Sequence, residues 1–397
     1  MLRLALAVFT VQAGFHAFTA SLPVALARAG VPDPQIGLIV GTAALVQIPA
    51  AFVVGVVIDR VGGIRGFTGG ALAYMVGCAV LLLPGVEPGG PTVPFLVARV
   101  FQGIGIAAIL PAALSLVPRL VAAGRRGFGL AFIGSAHNLT LVVIPPISLV
   151  VLAATSLHGV AALALVAVVA GLAILRLVPL RFVPGGDDPS GGGPTGIARR
   201  RLGFAFRGSW ARLIAIGLLF IIHWGVIVAF LPQRAEAAGA DIGLFFVADG
   251  ITILLVRVPT GWMADRVRPV FLILGGLAAT ACAVLLLTAP VTTLLLIAAG
   301  VLTGAGGGLV NTPLLVELSR RSLAAERGSA FSSFSASNAM ALAIGSIGGA
   351  LIVNVSGFAA AMVFSFVAIA LAAGLALLDP ALRRDPTMPA GQATTSA

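Results

Sequence analysis

Twelve stretches of about twenty largely apolar residues, each closed by glycine, proline or arginine, leave this chain of 397 residues one solvent in which to fold. They lie near 4–27, 35–58, 67–85, 93–117, 128–154, 159–180, 212–232, 241–263, 270–289, 292–316, 329–354 and 358–379. A helix of about 20 residues crosses the hydrocarbon of a bilayer and satisfies its own backbone, which lipid demands. An all-α membrane protein of twelve transmembrane helices is therefore expected. Only 9% of the residues are charged, against about 25% in a soluble protein. The first stretch is too long for a secretory leader and precedes many more spans, so it reads as a retained anchor.

All 24 basic residues are arginine and the net charge is +11, which raises nucleic acid as a partner. Their placement argues against it, because the arginines sit at the ends of apolar stretches rather than in a patch with interleaved aromatics. Arg3, Arg60, Arg65, Arg119, Arg125, Arg126, Arg181, Arg199 to Arg201, Arg207, Arg212, Arg266, Arg268, Arg320, Arg321, Arg327, Arg383 and Arg384 fall on one side, with Arg176 able to snorkel there. Arg28 and Arg234 fall on the other. By the positive-inside rule both termini are expected in the cytoplasm. Lysine-free, alanine- and glycine-rich usage fits a GC-rich bacterial genome, hence a bacterial inner (plasma) membrane. The segment 181–211 is polar and glycine-rich and reads as a cytoplasmic linker between an N-terminal half, 1–180, and a C-terminal half, 212–379; 380–397 reads as a cytoplasmic tail. Cys78 and Cys282 lie in apolar segments and read as small hydrophobes.

Self-similarity sharpens the two halves. Ile36-Gly37-Leu38 recurs as Ile242-Gly243-Leu244, and Gly55-x-x-x-Asp59-Arg60-Val61 recurs as Gly261-x-x-x-Asp265-Arg266-Val267, both at an offset of 206. Gly103-x-Gly105 matches Gly304-x-Gly306, and Arg126-Gly127 matches Arg327-Gly328, both at 201. Six helices is an even number, so the second half enters from the same side and the repeat is parallel. Such pairs hold a substrate site near the midplane and rock about it.

The segment between spans two and three, Gly55-Val-Val-Ile-Asp59-Arg60-Val-Gly62-Gly-Ile-Arg65, resembles the signature of the major facilitator superfamily, with its usual adjacent basic pair thinned to Arg65. The second copy, Gly261 to Arg268, lacks the later glycine. The resemblance covers essentially the whole chain and implies two pseudo-symmetric six-helix halves. It also implies a conformational gate formed by Gly55, Asp59, Arg60, Arg65, Gly261, Asp265 and Arg266; the alternative is ordinary topology charge. Span four, Ala98-Arg99-Val-Phe-Gln102-Gly103, is similar to the intramembrane arginine motif of proton-coupled members. Span five carries Ile144-Pro145-Pro146-Ile147 where drug–proton antiporters have a glycine-rich Gly-Pro stretch, whereas span eleven holds Gly345-Ser-Ile-Gly348-Gly349. Span eight, with Arg257 four residues before the loop glycine, resembles the sugar-efflux and drug-efflux branches.

Ionisable side chains are costly in lipid, so the few within the spans are candidates for function. Asp249 is the one carboxylate at apolar depth and the leading proton site, with Arg99 and Arg257 as coupling partners; the alternative is a structural ion pair between Asp249 and an arginine. Gln12, His16 and Thr19 form a stripe on span one, and His223 with Trp224 sits at nearly the equivalent depth in span seven. These residues, with Gln47, Gln102, His137, Asn138, Asn311 and Asn338, could contact a substrate or glue helices together.

The expectation is an alternating-access carrier, a monomer, that exports a small organic molecule (a drug, sugar or metabolite) as a proton antiporter. Uptake by a symporter or uniporter is the alternative in kind, and a membrane sensor on a transporter scaffold the alternative in class. The sequence holds no His-Glu-x-x-His helix, no Gly-x-Ser-x-Gly elbow and no phosphate-binding Gly-x-x-x-x-Gly-Lys loop, so no enzyme, cofactor or resident metal is expected.

Overall fold

The computed structural model describes residues 1–121, 126–178, 210–264, 266–322 and 327–384. Most of the expected linker, most of the expected tail and the candidate gate residue Asp265 lie outside them. The helices run as α1 (Leu2–Arg28), α2 (Asp33–Val61), α3 (Gly63–Leu81), α4 (Thr92–Leu116), α5 (Arg126–Ala154) and α6 (Leu157–Arg176) in the first half. The second half has α7 (Ala211–Ala237), α8 (Ile242–Met263), α9 (Pro269–Leu286), α10 (Thr293–Arg321), α11 (Arg327–Ala343) and α12 (Gly349–Leu377).

Among the described residues, eleven helical runs are long and apolar enough to cross a bilayer, and the last of them covers 45 residues, Ser333–Leu377. At 1.5 Å per residue that run is about twice the hydrocarbon thickness. It makes two crossings because Gly357, at φ 82° and ψ 172°, breaks it in a backbone region that only glycine enters readily. Upstream of the break, Ile344–Gly348 is wound as a π-helix that joins α11 to α12. The twelve spans of a multi-pass membrane protein follow, most within a few residues of their expected ends. Among the first ten spans the largest departures are α7 and α10, each of which continues five residues further than expected, to Ala237 and to Arg321.

The repeat is visible in the packing. A Cβ at Gly103 of α4 would lie 2.5 Å from the Ala43 carbonyl oxygen of α2, and one at Gly304 of α10 would lie 2.3 Å from the Asp249 carbonyl oxygen of α8. Ala43 and Asp249 are 206 residues apart, the offset read from the motifs. The next glycines repeat the relation: Gly105 presses on Gly70 and Tyr74 of α3, and Gly306 on Gly276 and Thr280 of α9, again 206 apart. Each half also closes its first helix on its last through an arginine. Arg3 donates to the Leu177 carbonyl at 2.7 Å and Arg212 to the Leu378 carbonyl at 3.4 Å, placing a cation where a helix C-terminus leaves carbonyls unpaired.

The halves meet at the face opposite the termini. There Gly37 and Gly41 of α2 fit against Ser346, Ile347 and Ala350, while Gly243 and Gly250 of α8 fit against Pro146 and Val142 of α5. Arg28 pairs with Glu236, and Gln233 donates to Asp33 at 3.0 Å, so two polar contacts bridge the halves at this distal face. Toward the face that carries the termini, Gly55, Gly134 and Gly261 of the same three helices have nothing within 4 Å of where a Cβ would stand. The protein is thus closed at its distal face and parted at its terminal face.

Helix contacts this close allow a direct check. Gly304→Ala and Gly103→Ala are expected to destabilise the purified protein by about 1–3 kcal/mol, read as a lowered thermal midpoint. Gly275→Ala, where no atom lies within 4 Å, should be neutral or slightly stabilising.

Candidate functional site

Two cavities lie between the halves and share a wall made by Leu141 of α5 and Trp224 of α7. The first, about 220 Å³, is lined by Phe15, His16, Thr19, Gln47, Arg99 and His137 among others. The second, about 180 Å³, is lined by Asn138, His223, Asp249, Arg257, Thr303 and Asn311, with Phe220, Ile221 and Ile253 supplying apolar surface. Ten of the residues expected to carry binding or coupling are thereby gathered around one dividing aromatic: His16, Gln47, Arg99, His137, Asn138, His223, Trp224, Asp249, Arg257 and Asn311. Gln12, Gln102 and Asn338 line neither cavity. Gln12 and Gln102 are buried, and Gln12 Oε1 and Asn338 Oδ1 have no hydrogen-bond partner.

Arg99 is the most thoroughly held polar group. Its Nε donates to the Ile39 carbonyl at 3.2 Å, Nη2 to the Val40 carbonyl at 3.0 Å and Nη1 to Gln102 Oε1 at 2.8 Å, with the Phe15 ring 5.8 Å away. A hydrogen bond to a charged group contributes about 1.5–3 kcal/mol. Three of them offset the roughly 2.5–3.5 kcal/mol that a central arginine costs on insertion scales. Arg99 therefore fastens α4 to the distal half of α2. Its repeat mate in α10 is Gly300, whose missing side chain lets α10 lie against the Phe245 carbonyl, 206 residues beyond Ile39.

The histidines show unfilled capacity. His16 Nδ1 lies 3.4 Å from Thr19 Oγ1, but among the described residues its Nε2 has no partner, and neither does His137 Nδ1. Their rings stand 5.7 Å apart across the first cavity. His223, in contrast, is tied by Nδ1 to the Phe220 carbonyl in the preceding turn. Trp224 stacks on Phe245 at 6.3 Å and meets Phe246 edge-on, so the wall between the cavities is anchored to α8.

Asp249 lies against Thr303 of α10 and, among the described residues, makes no ion pair. The structural pair with Arg99 that the sequence left open is not formed, because Arg99 spends its donors on α2 and Gln102. Arg257 is partly buried and, among the described residues, has neither a hydrogen-bond nor an ion-pair partner. The acids of α10 and the last span are engaged elsewhere. Glu317 takes Arg320 at 3.2 Å and Arg321 at 3.3 Å, and Asp379 takes Arg321 at 2.7 Å, all at the terminal face.

The gate candidates sit where the halves part. Gly55 faces open space, Asp59 and Arg60 occupy the last turn of α2, and Arg65 is exposed in the first turn of α3. One residue joins these helices, Gly62, at φ 86°. The second copy lacks that glycine, and five residues separate Met263 from Pro269 where one sufficed before. Gly261 is likewise open, and Arg266 folds back to the Trp262 carbonyl at 3.2 Å with its guanidinium 3.9 Å from the ring.

Sequence reasoning missed the distal contacts Arg28 to Glu236 and Gln233 to Asp33, since nothing in either segment reveals which loops adjoin. It also missed Thr303, although that residue stands at the repeat position of Gln102, 201 residues on, and could have been found there.

Comparison with known proteins agrees with this architecture. The family model described as Major Facilitator Superfamily matches residues 4–240 and 213–396. Among solved structures, a POT family transporter in complex with 5-aminolevulinic acid superposes with a TM-score of 0.76 at 15% identity, over 96% of this chain and 96% of that one. A POT peptide transporter in complex with sulfate gives 0.75 at 16%, over 95% and 92%. The human organic anion transporter MFSD10 (TETRAN) gives 0.66 at 17%, over 94% and 98%. At these identities the likeness concerns the fold. The match of the family model across both halves shows that the chain belongs to the Major Facilitator Superfamily.

Proposed function

We propose that this protein is a proton-coupled secondary transporter of a small organic molecule, with Asp249 as the protonation site. One observation carries the reading: a carboxyl with no ion-pair partner among the described residues stands in a cavity between halves that are closed at one face and parted at the other. Such a group can exchange a proton with whichever side the cavity faces, provided the halves rock. The cavity walls supply amide, imidazole and aromatic groups for the substrate. Membership in the superfamily supports secondary transport, and the peptide and organic anion transporters among its structural relatives fit a small polar cargo. The halves 1–180 and 212–379, joined by a cytoplasmic linker, form the rocking units, with both termini in the cytoplasm of a bacterial inner membrane.

The gate at Gly55, Asp59, Arg60, Arg65, Gly261, Asp265 and Arg266 belongs to the same reading. Glycines with nothing against them at the parted face leave room for helices that arrive when that face closes. Arg99 in this scheme positions α2. Export, the sense implied by the span-eight resemblance, requires proton and substrate to exclude one another from the cavity. A substrate that binds alongside the proton moves the same way as the proton.

Two outcomes test the proposal. In proteoliposomes an imposed pH gradient should drive substrate flux, and Asp249→Asn should abolish that response while retaining substrate binding; pH-driven flux that survives in the variant would remove Asp249 from the coupling step. Joining Arg28→Cys to Glu236→Cys with a short thiol cross-linker should arrest transport, with recovery after cleavage of the linker. Unimpaired transport in the cross-linked protein would show that the distal face need not open.

A further inference from the structure

We infer that the transported molecule is an organic anion whose carboxylate or sulfonate group pairs with Arg257 in the second cavity. The inference rests on the transport reading above and adds the chemical class of the cargo. It begins from the contrast between two arginines, one in each of the cavities that Trp224 divides. Arg99 makes three hydrogen bonds within the protein, whereas Arg257 makes none among the described residues. A guanidinium offers five donors in a planar fork that matches a carboxylate, and in an apolar span it needs acceptors before it, whether protein oxygens as at Arg99, water or an anion.

Among the described residues, no acid supplies the anion. Asp249 precedes Arg257 by eight residues on α8, which places it about 12 Å along the axis and about 80° round the helix, and no ion pair joins them. Glu317 and Asp379 are held by Arg320 and Arg321 at the terminal face. Around the unpaired guanidinium, Asn138 of α5 and Asn311 of α10 add amide groups from two further helices, and Phe220 and Ile253 offer an apolar surface for the body of a ligand. With the first cavity beyond Trp224, the space falls in the range of small-molecule sites.

The charge of the cavity then sets the sense of coupling. The titratable and charged groups facing it are Asp249 and Arg257 of α8 and His223 of α7, with His16, His137 and Arg99 across the shared wall. An ionised Asp249 repels a bound anion, and a protonated one does not. Anion and proton therefore occupy the cavity together and travel in the same direction, the reverse of the proton antiport expected from the sequence.

A binding panel on the purified, lipid-reconstituted protein tests this, using small aryl and alkyl carboxylates and sulfonates beside their isosteric amides and quaternary ammonium analogues. Anions should bind more tightly than their isosteres. Arg257→Gln should weaken the tightest anion by about tenfold or more while leaving the thermal midpoint near wild type, and Arg257→Lys should recover part of the loss. Asp249→Asn should keep anion binding and remove its pH dependence. Anions that bind no better than neutral or cationic isosteres, or an Arg257→Gln protein with undiminished anion affinity, would overturn the inference while leaving proton coupling through Asp249 standing. Anion binding through Arg257 without pH-driven flux of a permanently charged sulfonate would do the opposite, sparing the site and refuting the coupling.

Discussion

Hydrocarbon offers no hydrogen-bond partner to a side chain that enters it, so every polar group in the spans must find one in the protein, in trapped water or in a ligand. Most do so within a turn or two: Thr10, Ser21, Thr42, Thr280 and Ser365 each return a hydroxyl hydrogen to a carbonyl of their own helix. Arg99 reaches further and binds the backbone of a neighbouring helix. Among the described residues, His16 Nε2, His137 Nδ1 and the Arg257 guanidinium remain without a hydrogen-bond partner in the two cavities that Trp224 divides, and Gln12, Gln102 and Asn338 each keep an unpartnered atom outside them.

The second constraint is close packing without a hydrophobic drive between helices, which small residues solve by letting backbones touch. In both halves the fourth helix lies on the second and third through paired glycines, which recur at an offset of 201 while the residues they press on recur at 206. A repeat this regular makes its exceptions informative. The position of Arg99 is Gly300 in the second half, the position of Ala43 is Asp249, and that of Ala51 is Arg257. One half invests its charge in fastening two helices together, and the other exposes its charge to the cavity. The two charges that face the second cavity are thereby both on α8, which also meets the opposite half along α5 at Val142 and Pro146.

Much of this was legible in the chain. Span number, span ends to within a few residues, the two halves and the gathering of His16, His137, Asn138, His223, Asp249 and Asn311 followed from hydropathy, from the repeat and from the rarity of ionisable residues in lipid. The role of Arg99 did not, because its partners are main-chain carbonyls, which every sequence contains. The isolation of Arg257 was equally hidden, since it depends on three other helices failing to present an acid. The join between the last two spans was read as two separate helices, and the continuous winding through Ile344–Gly348 to Gly357 emerges only from backbone geometry.

The central claim is that two rigid halves rock about the cavity that holds Asp249 and Arg257. Spin labels at Ala29 and Ala238 would report across the distal face, and labels at Leu177 and Leu378 across the terminal face; all four positions are exposed. Double electron–electron resonance should show the distal distance short and the terminal distance long in one population, with the reverse in a second population that grows or shrinks as pH and substrate are varied. Distances that change together in the same sense, or a terminal distance that stays fixed while the distal one opens, would contradict the account.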